Sequence, residues 1–368
     1  MKSLIPSLNG LRALSIFLVI MCHANMRDHF LGSRSLFSIF TDGSFGVAVF
    51  FVISGFLITS LLLKEEEKDG RISIKRFYFR RALRILPAYY VVLLVYAILQ
   101  WMSVLHISRV SWITALTYTT VFYHDGWETA HFWSLSTEEI FYLAWPFIFA
   151  ISRSARTTFS FLVILYFPVL RWVTAVFPSV EMGSLAGDAI MWGCVFALWQ
   201  EEILGFLNRA FSQCRALIFL PFLTIFLLKL ADNMHSNNHA FRILNTSLGT
   251  TVGSVADFCI GVIILISIHF TRNFWFAFLN FRWINQIGIL SYSLYLWQQI
   301  FFARSIGIFS VFPLNILCMF IAAFISYRLI ERPFLLLKSG LRPEQESKPS
   351  CAGLTVSSKF YWGNKTTR

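Results

Sequence analysis

The sequence predicts an all-α, polytopic transmembrane helix bundle of about ten spans, and three observations predict it. Of the 368 residues, 57% are apolar and only 14% charged, with a mean hydropathy of +0.64. A soluble domain of that length needs far more polar surface. The apolar residues gather into ten stretches of membrane-spanning quality. Aromatics make up 17% of the chain, with 40 Phe and 12 Trp, which suits lipid-facing helices anchored at the interface. A net charge of +12 would suggest nucleic acid in a soluble protein. Here it reflects cytoplasmic loops rich in Lys and Arg, and no nucleic-acid partner is expected.

The first stretch, 8–25, opens LNGLRALSIFLVIMCHA from Leu8 to Ala24. Arg12 and His23 are eleven residues apart, about three helical turns, so both leave one face roughly 16 Å apart along the axis. Ionisable groups inside a membrane helix face a protein interior or a wet cavity, so this helix reads as one wall of a polar path. Arg12 interrupts the apolar run and no small-residue cleavage site follows, so the segment is kept as a span rather than a signal peptide. The later stretches run 45–63, 85–105, 135–152, 157–178, 185–200, 214–231, 249–270, 287–304 and 311–331. After the second comes KEEEKDGRISIKRFYFRRALR, with Lys64, Lys68, Arg71, Lys75, Arg76, Arg80, Arg81 and Arg84. Alternation puts Arg153/Arg156, Arg209/Arg215, Arg272/Arg282 and the basic tail on that same side. The positive-inside rule then makes both termini cytoplasmic. Residues 1–335 form the membrane-embedded domain, and 336–368 a polar, basic cytoplasmic tail. The six cysteines show no paired spacing, so neither disulfides nor a metal is expected.

In this orientation Arg12 lies near the inner face and His23 near the outer one. The fourth span enters from outside with HFWSLSTEEIFYLAWPF, which sets Glu138 and Glu139 at about the level of His23. Gln298, about eleven residues into the ninth span, reaches the same level. An imidazole, two carboxylates and an amide are thus expected to converge in the outer half. At the inner face Arg76, Arg80 and Arg84 recur at i, i+4, i+8, and Arg81 pairs with Arg84 at i, i+3. Pro87 is expected to mark a bend into the third span. Clustered guanidinium forks suit phosphates, so the arrangement suggests a phosphorylated acyl carrier such as acyl-CoA, its slim arm threading towards His23. Plainer readings exist for each piece. His23 alone fits an interfacial packing residue, Arg12 a snorkelling one, and the arginine cluster a lipid contact. For Glu138 and Glu139 the plainer reading is a helix N-terminus whose dipole they complement. His235 and His239 have helical metal spacing without a third ligand and are set aside.

In order and number, these motifs resemble the acyltransferase family 3 of integral membrane acyltransferases. Arg12 and His23 match its arginine–ten residues–histidine signature, and GVAVFFVISGFLI from Gly46 to Ile58 resembles its second-span motif. FYFRRALRILPAYY carries its R-x-x-R element at Arg81 and Arg84, while WSLSTEEIFYLAWP, SYSLYLW and SYRLIERPF match later landmarks. The resemblance runs from about Ser7 to Phe334. It implies transfer of an acyl group, commonly acetyl from acetyl-CoA, to a hydroxyl of a cell-surface or exported glycan or glycolipid, in a bacterial inner membrane. It also implies that His23 is catalytic, that Arg81 and Arg84 bind CoA phosphates, and that Arg12 supports them. Departures from the pattern are Ala48 for an acidic residue, Gln298 for a frequent histidine, and Ala186 for an arginine two before Asp188. These bear on acceptor choice and activity. The hydrolase-like extracytoplasmic domain of some members is not in the sequence, so any second transfer step is expected to need another protein.

The expected mechanism is direct. A neutral His23 takes the acceptor hydroxyl's proton as that oxygen attacks the thioester. Glu138 or Glu139 orients the imidazole or holds the sugar, and Gln298 is a candidate oxyanion donor. The sequence leaves a covalent acyl-enzyme equally open. Two competing classes are a transporter of a lipid or acyl donor, which predicts passage of the acyl group intact, and a non-catalytic donor-binding member, which predicts CoA-dependent stabilisation without turnover.

Overall fold

The computed structural model describes residues 5–28, 42–123, 125–176, 187–235 and 239–340. Ala186 and the tail beyond 340 lie outside the described residues. Among those described the chain is helical throughout, with no strand. The helices are α1 (Leu8–Asp28), α2 (Gly43–Asp69), α3 (Ile74–Trp101), α4 (Arg109–Leu116), α5 (Trp127–Ala130), α6 (Phe132–Ile151), α7 (Arg153–Val176) and α8 (Gly187–Leu198). They continue as α9 (Gln200–Gln213), α10 (Leu220–His235), α11 (His239–His269), α12 (Phe274–Leu279), α13 (Arg282–Phe302), α14 (Leu314–Ser326) and α15 (Arg332–Gly340). A π-helical turn, Tyr327–Glu331, joins the last two.

Local chemistry sets the boundaries. Asp42 caps α2 by accepting from the Phe45 N–H at 2.8 Å, and Gly70 closes it in the left-handed region at φ 71°. Ser73 then caps α3 through the Arg76 N–H. This helix departs from the expected pattern in two ways. The basic segment and the third span form one continuous helix, and Pro87 sits inside it rather than marking its entry. The arginines therefore ride on the same rigid rod that crosses the bundle.

Five helical segments are long and apolar enough to cross a membrane: Leu8–Met26, Gly43–Asp69, Ile74–Trp101, Arg153–Val173 and Leu314–Leu337. A sixth is reached if α8 and α9, bent by 81° at their junction, count as one broken span. The protein is thus a membrane protein, and fewer than the ten expected spans meet this measure among the described residues. α6 and α13 explain part of the gap. They are 20 and 21 residues long, long enough to span, but carry polar groups that the site uses.

The helices approach closely where small residues allow it. A Cβ on Gly55 of α2 would fall on the Ile190 carbonyl oxygen of α8, and one on Gly193 of α8 would fall on the Val52 carbonyl of α2. Gly288 does the same for α13 against the Asn9 carbonyl of α1. Wedged into the α2–α6 contact, Trp145 is fully buried and donates to the Thr59 hydroxyl at 3.0 Å. Arg156, 4% exposed, ties α7 to the end of α2 through two bonds to Glu66, 2.8 and 2.5 Å. Its Nε reaches the Phe149 carbonyl of α6 at 2.7 Å.

Candidate active site

α1, α2, α3, α6 and α13 enclose a cavity of about 810 Å³, open mouth included. Arg12 lines it from α1, Arg81 and Arg84 from α3, and Glu138, Glu139 and Tyr142 from α6. Ser54 and Phe51 of α2 and Ser291, Tyr292 and Tyr295 of α13 complete the wall. The polar groups are tied together. Tyr142 donates to Glu138 Oε2 at 2.9 Å, so the Ser54 hydroxyl, 2.5 Å from the same phenol, is the donor to Tyr142. The Arg81 guanidinium lies over the Tyr142 ring at 5.0 Å and the Phe77 ring at 5.8 Å. Arg12 is within electrostatic range of Arg84, Tyr142, Glu138 and Arg81. With three guanidinium groups against two carboxylates, the lining carries a net positive charge and suits an anion. Glu331, buried in the π-helical turn, accepts from the Ser293 hydroxyl and faces Arg84 electrostatically.

His23 lies beyond this cavity. Its Nδ1 is 3.3 Å from Gln298 Oε1. With Gln298 turned this way its amide oxygen accepts from Nδ1–H, the Val19 backbone is a second hydrogen-bonding neighbour of the ring, and in that tautomer Nε2 presents the lone pair that a general base uses. The Trp127 ring meets the imidazole edge-on at 5.7 Å. Between His23 and the cavity stands a layer built on α6 and α13. Ser134 and Tyr295, both on the cavity wall, pair at 2.6 Å, and the Tyr295 hydroxyl donates to the His131 carbonyl at 2.6 Å.

The structure therefore brings together Arg12, Arg81, Arg84, Glu138 and Glu139, and separately His23 with Gln298. The expected convergence of imidazole and carboxylates is corrected. Glu138 and Glu139 sit about two turns into α6 and are drawn to the guanidinium groups and Tyr142, while the imidazole takes the neutral amide of Gln298. Arg80 does not line the cavity, because its neighbour Arg81 takes the inward face of α3. Arg76 pairs instead with Glu65 and Asp69, 3.9 and 3.6 Å away. Ala48 packs half-buried against the core, away from the cavity wall. Sequence reasoning missed Tyr142, Ser54, Glu331 and His131. The signal for His131 was within reach, since it opens the same HFWSLSTEE stretch that carries the two glutamates.

Comparison with known proteins points one way. The acyltransferase domain family matches residues 5–329. The peptidoglycan O-acetyltransferase OatA of Listeria monocytogenes is 26% identical over 90% of this chain and 56% of its own length. The O-acetyltransferase OatA of Staphylococcus aureus is 26% identical over 89% of this chain and 57% of its own. The putative peptidoglycan O-acetyltransferase YrhL of Bacillus subtilis is 27% identical over 89% and 54%. The chain thus spans a little over half the length of these curated relatives. No solved structure matches. A family match over most of the helical bundle, the arginine cavity included, settles the classification: the chain belongs to the acyltransferase family.

Proposed function

We propose that this protein is a membrane O-acetyltransferase that moves acetyl from acetyl-CoA to a hydroxyl of a cell-surface or exported glycan. Its relatives named for peptidoglycan favour a polysaccharide acceptor. The observation that carries the reading is the cavity holding Arg12, Arg81 and Arg84 with Glu138 and Glu139, with His23 and Gln298 on the far side of the Ser134–Tyr295 layer. Arg81 and Arg84 hold the donor's phosphates at the inner face and Arg12 supports them. Arg80, outside the lining, adds positive potential at the mouth. Glu138 and Glu139 balance the guanidinium charge and, through Tyr142, fix the wall against which the pantetheine arm lies.

His23 Nε2 removes the acceptor's hydroxyl proton as that oxygen bonds to the acetyl carbon. The C–S bond then breaks, and the CoA sulfur leaves as thiolate and is protonated. The protein sits in a bacterial inner membrane with both termini cytoplasmic. Its ten spans comprise the six apolar ones, the polar α6 and α13, α10 and α11. This orientation puts the arginines where cytoplasmic acetyl-CoA meets them.

Purified protein in lipid, given radiolabelled acetyl-CoA and a peptidoglycan or oligosaccharide acceptor, tests the reading. Label is expected to move to acceptor hydroxyls with release of CoA, and His23→Ala is expected to lower the rate about a hundredfold or more. Transfer by His23→Ala at the wild-type rate sinks the assigned base. One observation favours a second reading, a donor-binding member without turnover: His23 is not on the cavity wall. That reading predicts acetyl-CoA binding with no CoA released.

A further inference from the structure

Among the described residues, seven of the ten buried side-chain polar atoms without a hydrogen-bond partner lie in two short segments, 127–131 and 297–299, which meet His23 through Trp127 and Gln298. They are Trp127 Nε1, Thr129 Oγ1, both ring nitrogens of His131, Trp297 Nε1, Gln298 Nε2 and Gln299 Oε1. Buried polar groups are normally satisfied, so such a cluster needs a reason. It is not the product of loose packing. His131 is 3% exposed, Gln298 0% and Gln299 1%. The two segments are clamped by Gln299 Nε2 donating to the Trp127 carbonyl at 2.7 Å and Tyr295 to the His131 carbonyl at 2.6 Å. The Leu296 carbonyl approaches the His131 ring as an acceptor without reaching full hydrogen-bond geometry, and Gln298 turns its other amide atom to His23.

The chemistry of the unpartnered atoms defines what would satisfy them. Successive helix positions turn by about 100°, so the Thr129 and Trp297 atoms leave other faces of their helices; of the rest, the Trp127 indole N–H and Gln298 Nε2 donate, Gln299 Oε1 accepts, and a neutral imidazole does both. No charged side chain is among them. A phosphate or carboxylate would meet acceptors without cations, and a cation would meet donors. A group of sugar hydroxyls, each able to donate and accept, matches the mixture, and an indole face suits the apolar face of a pyranose. We propose that His131, Gln298 and Gln299, with Trp127, form a closed subsite for an uncharged polyol, the saccharide end of the acceptor. Displacement of the half-buried Trp127 indole from His23 opens it. The subsite rests on the acetyl-transfer reading for its occupant, and His131 acts in it as a binding residue beside His23.

The test uses the full chain in lipid nanodiscs without acetyl-CoA. Tritiated neutral trisaccharides (chitotriose, cellotriose, maltotriose) and a phosphorylated sugar are titrated against wild type, His131→Phe, His131→Gln and Gln299→Leu. At least one neutral sugar is expected to bind. Its affinity is expected to fall tenfold or more in His131→Phe and Gln299→Leu and to recover at least half of that loss in His131→Gln. Acetyl-CoA binding is expected to stay within twofold of wild type in all three. Failure of every neutral sugar to bind, preference for the phosphorylated one, or equal sugar binding by His131→Phe and wild type overturns the subsite. So does loss of acetyl-CoA and sugar binding together, which marks a structural role. Sugar binding that depends on His131 in a protein that transfers no acetyl would refute the acetyl-transfer reading and leave the subsite standing. Acetyl transfer with sugar binding indifferent to His131 would do the opposite.

Discussion

At the scale of single residues, the 3.3 Å contact between Gln298 and His23 suits the tautomer in which Nε2 is free. Replacing Gln298 with Leu removes one of the ring's two hydrogen-bond partners, the Val19 backbone being the other, and loosens its orientation. A hydrogen bond to a buried group is worth about 1–3 kcal/mol, so the acetylation rate is expected to fall about tenfold to a hundredfold. Acetyl-CoA affinity, read at the cavity, should be unchanged. An equal loss of donor binding in Gln298→Leu would show that the residue supports the cavity instead. Arg81 makes the complementary case. Its guanidinium both faces the cavity and stacks on Tyr142 and Phe77, a planar role that an ammonium cannot fill. Arg81→Lys keeps the charge yet is expected to weaken acetyl-CoA binding about tenfold, measured by equilibrium binding. Retention of wild-type affinity would reduce Arg81 to a point charge. These residues differ in how far the sequence disclosed them. Spacing along one helix put Arg12 and His23 on a single face and paired Arg81 with Arg84. Tyr142, four residues after Glu138 on α6, was legible by the same spacing, whereas its link to Ser54 depends on which helices meet, and a serine does not announce itself in an apolar stretch.

At the scale of helices, the α2–α8 crossing is set by two glycines that point at each other's backbone. A side chain on Gly55 meets the Ile190 carbonyl, which has nowhere to go because it belongs to the facing helix. Overpacking costs about 1–3 kcal/mol even where side chains can adjust. Gly55→Val is therefore expected to lower the melting temperature in detergent by several degrees and to reduce the folded yield. Gly205 in α9 is the control, since nothing lies within 4 Å of a Cβ placed there. Gly205→Ala is expected to be neutral or to stabilise by up to about 1 kcal/mol, the difference in helix propensity. Equal destabilisation by both would remove the crossing as the cause. The sequence located most helices within a few residues because apolar runs are long. It misplaced the start of α3 because a basic amphipathic segment and the span that follows read as loop and helix, although caps at Ser73 and a tolerated Pro87 make them one. It did mark the α8–α9 junction, as the apolar run 185–200 stops where the 81° bend turns the chain into α9, whose first turn carries Glu201 and Glu202.

For the whole molecule, composition alone gave the membrane class, whereas the count of spans depends on how polar a spanning helix is allowed to be. α6 and α13 are the instructive pair. Their serines, glutamates and glutamines weaken the apolar signal because those residues build the cavity wall and the His23 layer. The function proposed for the bundle depends on which end faces the cytoplasm, and α3 makes that testable. Its 28 residues extend about 42 Å, with the exposed Lys68 just before its arginine-bearing start and the exposed Arg109 just past its other end. Single cysteines introduced by Lys68→Cys and Arg109→Cys, in a chain whose six native cysteines are replaced by serine or alanine, report the orientation. A membrane-impermeant maleimide added to intact spheroplasts is expected to label the cysteine at 109 and to reach the one at 68 only after lysis. Acetyl-CoA is a cytoplasmic metabolite too highly charged to cross a bilayer unaided. Labelling at 68 in intact spheroplasts would therefore put Arg12, Arg81 and Arg84 on the side where the donor is missing, and acetyl transfer from acetyl-CoA would fail as a function for this bundle whatever the state of its cavity.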